Sequence, residues 1–394
     1  MIPGFPGATE PTSSIVSKTE DPQHMARALK LAQQGLFTTD PNPRVGCVLV
    51  KNGAVVGEGF HARAGEAHAE VNAIEAAGEA ARGATAYVTL EPCCHSGRTG
   101  PCTERLIAAG VVAVVAAMRD PNPEVGGKGL ATLESAGIQV REGVMESEAA
   151  KLNIGFVNRM TRGRPYLRLK LAASLDGRTA LASGESRWIT GPEARRDVQR
   201  LRARSSAILT GVETVLADDP RLDVRENSYP QAASAGPAIR QPLRIIVDSR
   251  LRTPAGAKII SPPGSVLIAT LNDRSPAADT LRSAGAEVVA VPACGERIDL
   301  ARLVAHLADR GINELHAECG ATLAGALLDA GLVDELVIYL APMLLGSKAR
   351  PLAVLEAISG LGQRLELRLD ELRAVGDDIR VTARPRKTGN VAPC

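Results

Sequence analysis

His68 and Glu70 stand two residues apart at the start of a helix-forming run. Cys93 follows a β-rich run that Pro92 ends, and Cys102 opens the next helical run. This arrangement constrains the fold more than any other feature. A metal ligand has to be held by a rigid element. The three candidates here fall at helix N-termini or in the loop before one, where bare N–H groups and the helix dipole favour thiolate. His, Cys and Cys make three protein ligands for zinc with one position open for water, and Glu70 is the natural proton shuttle beside them. Cys94 or His95 as a fourth ligand would close the site, but a closed structural site has no use for the carboxylate.

The order of elements around these residues is that of an α/β fold. A helix is expected after Asp21-Pro22, with Met25, Leu29 and Ala32 on one face, ending near Gly35. Runs 45–50 and 54–59 flank Lys51-Asn52-Gly53, a hairpin signal. Strands 84–90, 111–117 and 138–140 alternate with helices 69–81, 103–109 and 130–136, and a single helix covers 146–160. This alternation predicts a mainly parallel α/β/α sandwich. Residues 161–165 read as a linker, which places a boundary near residue 164. The chain of 394 residues then restarts with strand 166–173. Further strands are expected at 207–210, 243–248, 266–270, 288–291, 314–318 and 335–340. Helices are expected at 191–204, 300–310 and 323–330. The expected organisation is a tail 1–20, a first domain 21–164, a second domain 165–385 and a tail 386–394.

Composition excludes several classes. A formal net charge of +2 is no basic footprint for nucleic acid. No apolar run reaches membrane-spanning length, and the N-terminus lacks a signal-peptide pattern. Seven cysteines, three of them at 93, 94 and 102, favour metal ligation in a reducing cytoplasm over a disulfide framework.

The pairing of His-x-Glu with a later Pro-Cys and a second Cys is the pattern of zinc deaminases. In that chemistry Glu70 takes a proton from water and delivers it to a leaving nitrogen. Four segments carry a closer resemblance: Asn42-Pro43-Arg44-Val45-Gly46, His68-Ala69-Glu70-Val71, Thr89-Leu90-Glu91-Pro92-Cys93 and Gly97-Arg98-Thr99-Gly100-Pro101-Cys102. They resemble the deaminase domain of the bifunctional riboflavin-biosynthesis deaminase/reductases. Eight residues separate Cys93 from Cys102, where the general deaminase pattern has two; the longer spacing belongs to the riboflavin branch. The resemblance implies a cytidine-deaminase-like domain with zinc on His68, Cys93 and Cys102 and Glu70 as proton donor. It also makes Asn42, His61 and Arg98 candidates for substrate contacts.

The second half is similar to the reductase domain of the same family, which has a dihydrofolate-reductase-like fold. The matching segments are Leu169 to Arg178, Ser183 to Thr190, Thr214 to Pro220, Glu318 to Leu323 and Pro342 to Gly346. A strand ending at Glu318 and a helix opening after Gly320 suit a dinucleotide pyrophosphate, and no G-x-G-x-x-G supports a Rossmann site. The resemblance assigns Ala172, Trp188, Thr214, Asp218, Ser249 and Gly320 to NADPH. It assigns Ser186, Arg202, Leu222, Arg225 and Glu318 to a phosphorylated pyrimidine substrate. Arg202 and Arg225 fit phosphate through their guanidinium forks. Lys170 and Asp176 are candidates to supply charge or protons near the ribose carbon that receives hydride. Together these imply deamination of 2,5-diamino-6-ribosylamino-4(3H)-pyrimidinone 5′-phosphate, then NADPH-dependent reduction to 5-amino-6-ribitylaminouracil phosphate. The resemblance also implies a dimer or tetramer. Two rivals remain open. A nucleic-acid base deaminase with an accessory domain predicts a P-C-x-x-C and a basic face, and a non-enzymatic fusion predicts decay of one half.

Overall fold

The computed structural model describes residues 20–94, 100–123, 125–225, 240–261, 263–355 and 358–386. Arg98, His95 and all but the inner edge of the two expected tails lie outside these residues. Contacts divide the chain into two compact units. One runs to Asn153 without Asp40–Asn42; the other takes Asp40–Asn42 and everything from Ile154 on. No helix among the described residues is long and apolar enough to cross a membrane.

The first unit has helices α1 (Asp21–Ala32), α2 (Ala69–Ala77), α3 (Cys102–Ala109), α4 (Lys128–Ser135) and α5 (Glu146–Leu152). Its strands are β1 (Gly46–Lys51), β2 (Ala54–Phe60), β3 (Thr85–Val88), β4 (Ala113–Ala116) and β5 (Gln139–Glu142), in the order β2-β1-β3-β4-β5. The β1–β2 hairpin turns on Asn52 and Gly53, both with positive φ (52° and 75°), as a primed turn requires. The expected mainly parallel sheet is in fact mixed: β1 runs antiparallel to both β2 and β3, and only β3-β4-β5 is parallel. Alternate residues of the strands serve opposite faces. Cys47, Leu49, Ala86, Val88 and Val114 pack with Ala69, Ala73, Leu106 and Leu133 of α2, α3 and α4. On the opposite face α1 lies against the sheet, where Tyr87 donates to Asp21 (2.9 Å).

Glycines set how closely two helices approach. A Cβ on Gly46 would stand 2.0 Å from Ala28 O of α1, and one on Gly59 would stand 2.4 Å from Ala69 O of α2. Gly59 therefore lets the helix that carries Glu70 rest directly on β2.

In the second unit α6 (Ile154–Arg162) is followed by β6 (Tyr166–Ser174), β7 (Arg178–Ala180), α7 (Pro192–Arg204), β8 (Ala207–Gly211), α8 (Val212–Asp218), β9 (Leu243–Val247) and β10 (Val266–Thr270). Then come α9 (Pro276–Ser283), β11 (Glu287–Ala290), the small pair β12 (Ala293–Cys294) and β13 (Arg297–Ile298), α10 (Leu300–Asp309), β14 (Glu314–Glu318) and α11 (Ala321–Asp329). The last elements are β15 (Glu335–Ala341), β16 (Arg350–Pro351), β17 (Leu367–Val375) and β18 (Asp378–Pro385). The nine-stranded sheet is ordered β11-β10-β9-β8-β14-β6-β15-β18-β17. It is parallel through β15, and the β17–β18 hairpin closes it antiparallel. One face packs Leu167, Leu169, Leu209 and Leu315 under α10 and α11. The other is covered by α8 and α9 at Ile208, Ile246 and Ile268, and by α7 at Val337 and Tyr339. Residues 161–162, expected in a linker, are the end of α6, whose Gly155 lies against Asn313 and Glu314 at the head of β14.

Candidate active sites

In the first unit the fold brings the three expected ligands together. His68 is the N-cap of α2, Cys102 the first residue of α3, and Cys93 lies in the loop beyond β3. Their donor atoms lie within 4.8 Å of one another. His68 Nδ1 is 3.2 Å from Cys102 Sγ and 3.6 Å from Cys93 Sγ, and the Cys102 amide donates to Cys93 Sγ at 3.4 Å. The Cys93 thiol is pulled down to about 4, first by hydrogen bonding with Cys102 and also by His68. Cys102 is pushed up by that same Cys93 partner and by burial. One thiolate therefore stands ready in the ligand set, and a soft cation is what a His, Cys, Cys cluster of this size accepts.

Glu70 sits in the first turn of α2 and is 3% exposed. Burial lifts its carboxyl to about 7, against a smaller opposing effect from its own backbone amide. A carboxyl in that range can take and return protons at neutral pH. His61 is buried beside the cluster, its ring edge-on to His68 at 5.2 Å, and its Nδ1 lies 3.0 Å from Ala67 O. Burial lowers its pKa. Asn42 is one of three residues that group with the second unit.

Glu91 had no role in the sequence reading, although it adjoins Pro92-Cys93. Its buried carboxylate accepts the amides of Asp120 (3.0 Å), Gly127 (2.8 Å), Gly129 (2.8 Å) and Leu130 (3.3 Å). It thereby caps α4, whose own N-cap residue is a glycine. A Cβ on Gly129 would stand 2.1 Å from Pro92 O, so the helix end is seated against the Cys93 loop. The signal for Glu91 was an acidic residue flanked by a strand end and a proline, which local spacing alone does not single out.

In the second unit most of the expected residues gather at the carboxyl ends of β6, β8, β9 and β14. Later strands add to both sides of β6, so this edge is the topological switch of the sheet, where open α/β folds bind ligands. Thr214 and Gly320 meet there: the Gly320 amide donates to Thr214 Oγ1 at 3.2 Å, and Gly320 is the N-cap of α11. Ser249 follows β9 and its carbonyl accepts from Thr270 Oγ1 (3.3 Å). Ala172 lies near the end of β6, opposite Tyr339. Trp188 is 67% exposed, with the Arg195 guanidinium 4.5 Å from its ring centre. Ser186 Oγ lies 3.5 Å from Asp218 Oδ1, and Arg187 donates to the Asp218 carbonyl.

Arg202 and Glu318 are brought together in a two-pronged pair, Nε to Oε1 at 2.5 Å and a terminal nitrogen to Oε2 at 2.9 Å. Burial alone would raise the Glu318 carboxyl, but the Arg202 charge holds it well below the usual range. Lys170 is opposite Glu318 in register, with Nζ 6.0 Å from the Tyr339 ring centre. Burial lowers its pKa, with Glu318 opposing. Asp176 stands in the turn after β6. Its carboxylate accepts from Ser174 and from the amides of Leu345 (3.1 Å) and Gly346 (2.8 Å), and those bonds, Ser174 foremost, hold it down to about 2. Leu222 is buried at a positive φ of 49°, and Arg225 is exposed, 4.0 Å from Asp223.

Two protein families match the chain. Residues 18–118 match the cytidine and deoxycytidylate deaminase zinc-binding region, and residues 165–381 match the RibD C-terminal domain. The chain is 54% identical over 364 residues to riboflavin biosynthesis protein RibD of Escherichia coli (strain K12), covering 91% of this chain and 98% of that protein. It is 49% identical over 377 residues to the protein of the same name in Haemophilus influenzae, covering 93% and 98%. Among solved structures, Acinetobacter baumannii RibD (form 1) superimposes with a TM-score of 0.86 at 46% identity, covering 94% of this chain and 99% of that one. A Thermotoga maritima protein described as a diaminohydroxyphosphoribosylaminopyrimidine deaminase/5-amino-6-(5-phosphoribosylamino)uracil reductase gives 0.80 at 32%, covering 93% and 99%.

Proposed function

The chain belongs to the RibD family of riboflavin-biosynthesis proteins, and from that premise we propose how its two sites divide the work. It is a bifunctional enzyme, a zinc-dependent deaminase followed by a reductase that uses a nicotinamide cofactor. The observation that carries the first assignment is the buried Glu70 carboxyl beside a His68, Cys93, Cys102 cluster of metal-binding size.

In the first unit His68, Cys93 and Cys102 would hold zinc, which when bound would supply a nucleophile at neutral pH by acidifying water. Glu70 accepts a proton from the attacking water and returns it to the amino nitrogen as the nitrogen leaves as ammonia. The seclusion that raises its pKa fits both directions of transfer. His61 packs against His68 and helps shape the pocket for the diaminopyrimidine ring, with Asn42 and Arg98 as further substrate contacts.

In the second unit the cofactor we propose is NADPH, which when bound would supply the hydride that reduces the ribosyl group to the ribityl chain. Gly320, at the opening of α11, presents backbone amides to its pyrophosphate, steadied by Thr214. Ala172, Asp218, Ser249 and the exposed Trp188 ring complete its cradle. Glu318 and Lys170 face the sugar at the sheet edge, Ser186, Leu222 and Arg225 hold the remainder of the substrate, and Arg202 acts through Glu318. Asp176 ties the turn after β6 to residues 345–346 and so shapes the rim of the cleft. The enzyme works in the cytoplasm as a dimer or tetramer, which mass photometry of the purified chain checks.

The decisive variant is Glu70→Gln. It keeps the size of the side chain and removes its proton traffic, so zinc content stays at wild-type level while ammonia release is lost. Full activity of this variant would remove Glu70 from the mechanism.

A further inference from the structure

Residues 221–225 carry two of the groups assigned to the substrate, Leu222 and Arg225, yet belong to neither helix nor strand. A buried backbone N–H or C=O needs a partner, and here side chains supply it. Gln241, just ahead of β9, meets Val224 with both ends of its amide. The Val224 N–H donates to Oε1 (2.8 Å), and Nε2 donates to the Val224 carbonyl (2.9 Å). The Arg225 N–H donates to Gln199 Oε1 of α7 (3.1 Å). Arg202, one turn further along α7, donates a terminal nitrogen to the Asp223 carbonyl (3.1 Å) while its other nitrogens clasp Glu318.

These contacts fix the backbone and leave the end of the Arg225 side chain to a ligand. Gln199 is buried and, three residues from Arg202, shares its face of α7. The stem of Gln241 is seated on Gly264, where a Cβ would stand 2.9 Å from Gln241 Cβ. Leu222 and Val224 are buried, whereas Arg225 between these clamps and the solvent is exposed, its Nε in a loose pair 4.0 Å from Asp223. A long side chain meets its ligand at a defined place only when the backbone beneath it is held. Because Arg202 ties the same segment to Glu318, α7 also sets the spacing between Arg225 and that carboxylate.

We propose that Gln241 and Gln199 are positioning residues of the reductase: by clamping the backbone of Val224 and Arg225 they fix where the Arg225 guanidinium meets the 5′-phosphate of the substrate. The proposal rests on the assignment of Arg225 to the substrate. It goes beyond that assignment by naming the side chains that hold the arginine in place. A displaced guanidinium can lose no more than its own contact, so loss of either glutamine costs at most what loss of Arg225 costs.

The test uses the full-length, zinc-loaded enzyme supplied with NADPH and the deaminated ribosylamino-uracil, with and without its 5′-phosphate. Arg225→Ala is expected to raise the KM for the phosphorylated substrate about thirtyfold, the scale of a hydrogen bond to a charged group. Gln241→Ala raises it about tenfold, the scale of the two hydrogen bonds removed, and Gln199→Ala about threefold, for one. The KM for the substrate without phosphate, the KM for NADPH and the rate of ammonia release stay at wild-type values. Added to Arg225→Ala, Gln241→Ala raises the KM by less than about twofold more, because the group it positions is gone. Should Gln241→Ala not fold, Gln241→Glu, which still accepts the Val224 amide but cannot donate to its carbonyl, takes its place with a rise of about threefold. An unchanged KM for the phosphorylated substrate in the Gln241 variant, where Arg225→Ala raises it, overturns the proposal. So do equal rises with and without the phosphate, or full additivity with Arg225→Ala, either of which marks general loosening of the unit. If Arg225→Ala itself leaves the KM unchanged, the assignment of Arg225 is at fault.

Discussion

Replacing Glu91 by Ala strips α4 of its cap and the Cys93 loop of its backing. Four amides point at the Glu91 carboxylate, at 3.0, 2.8, 2.8 and 3.3 Å. Two of them, on Gly129 and Leu130, are buried, and water cannot replace the lost acceptor without displacing the core. Each buried donor left without a partner costs about 1–3 kcal/mol. The Asp120 and Gly127 amides are half-buried and recover part of their bonding from water, and loss of an anion at a helix N-terminus adds about 0.5 kcal/mol. The total is roughly 3–5 kcal/mol. Zinc release during urea unfolding reports on this unit directly. With a slope of about 1.5 kcal/mol per molar urea for a unit of this size, the midpoint falls by about 2–3 M. Glu91→Gln keeps one acceptor oxygen for two of the four amides and turns an NH2 toward the others, so it falls between wild type and Ala. A shift below about 0.5 M for Glu91→Ala, or equal shifts for both variants, would refute the capping argument.

Two further predictions concern separate parts of the chain. Stripping zinc with a strong chelator is expected to stop ammonia release while the reduction of supplied uracil substrate continues; loss of both activities together contradicts the separation of the sites. The second concerns Asp197 on α7, which accepts from Tyr339 (2.7 Å), Arg380 (2.9 Å) and Arg373 (3.0 Å) and so pins the β17–β18 hairpin. Burial would raise its pKa, but Tyr339 and the two arginines bring it below the ordinary value. Its contribution is therefore complete above the ordinary aspartate pKa of about 3.9 and is lost as pH falls through the lower folded value. Trp188 fluorescence during unfolding should show a wild-type advantage over Asp197→Asn that is constant from about pH 5 to 8 and shrinks below about pH 4. An advantage that persists undiminished at pH 2.5 contradicts the sign.

Much of the fold was legible because local chemistry set it. Asn52-Gly53 announced the hairpin, and the ligand residues lay where strands end and helices begin, so the cluster is legible in the sequence itself. What escaped the sequence was carried by distant partners. The single helix expected over 146–160 breaks at Asn153, whose side chain accepts the Arg44 amide (2.8 Å) and donates to the Arg44 carbonyl (2.9 Å), 109 positions away. Periodicity marks a strand but not its direction, so the antiparallel placement of β1 against β3 was invisible. The β17–β18 hairpin was not expected at all. Along β17 Leu367, Leu369 and Leu372 are exposed with their charged neighbours, so no buried face imposes alternation. In the second site Arg202 and Arg225 looked alike as phosphate partners. Only the fold separates them, one locked on Glu318 and the other exposed beside Asp223.

The central claim is that one chain performs deamination and then reduction, each in its own unit. The most direct measurement supplies the purified protein with the diaminopyrimidine phosphate, zinc and NADPH, and follows ammonia and NADPH absorbance in the same cuvette. The account predicts that ammonia appears first, that NADPH oxidation follows after a lag, and that the two reach equal amounts. Ammonia release with no NADPH consumed, or NADPH consumed with no ammonia released, would contradict it.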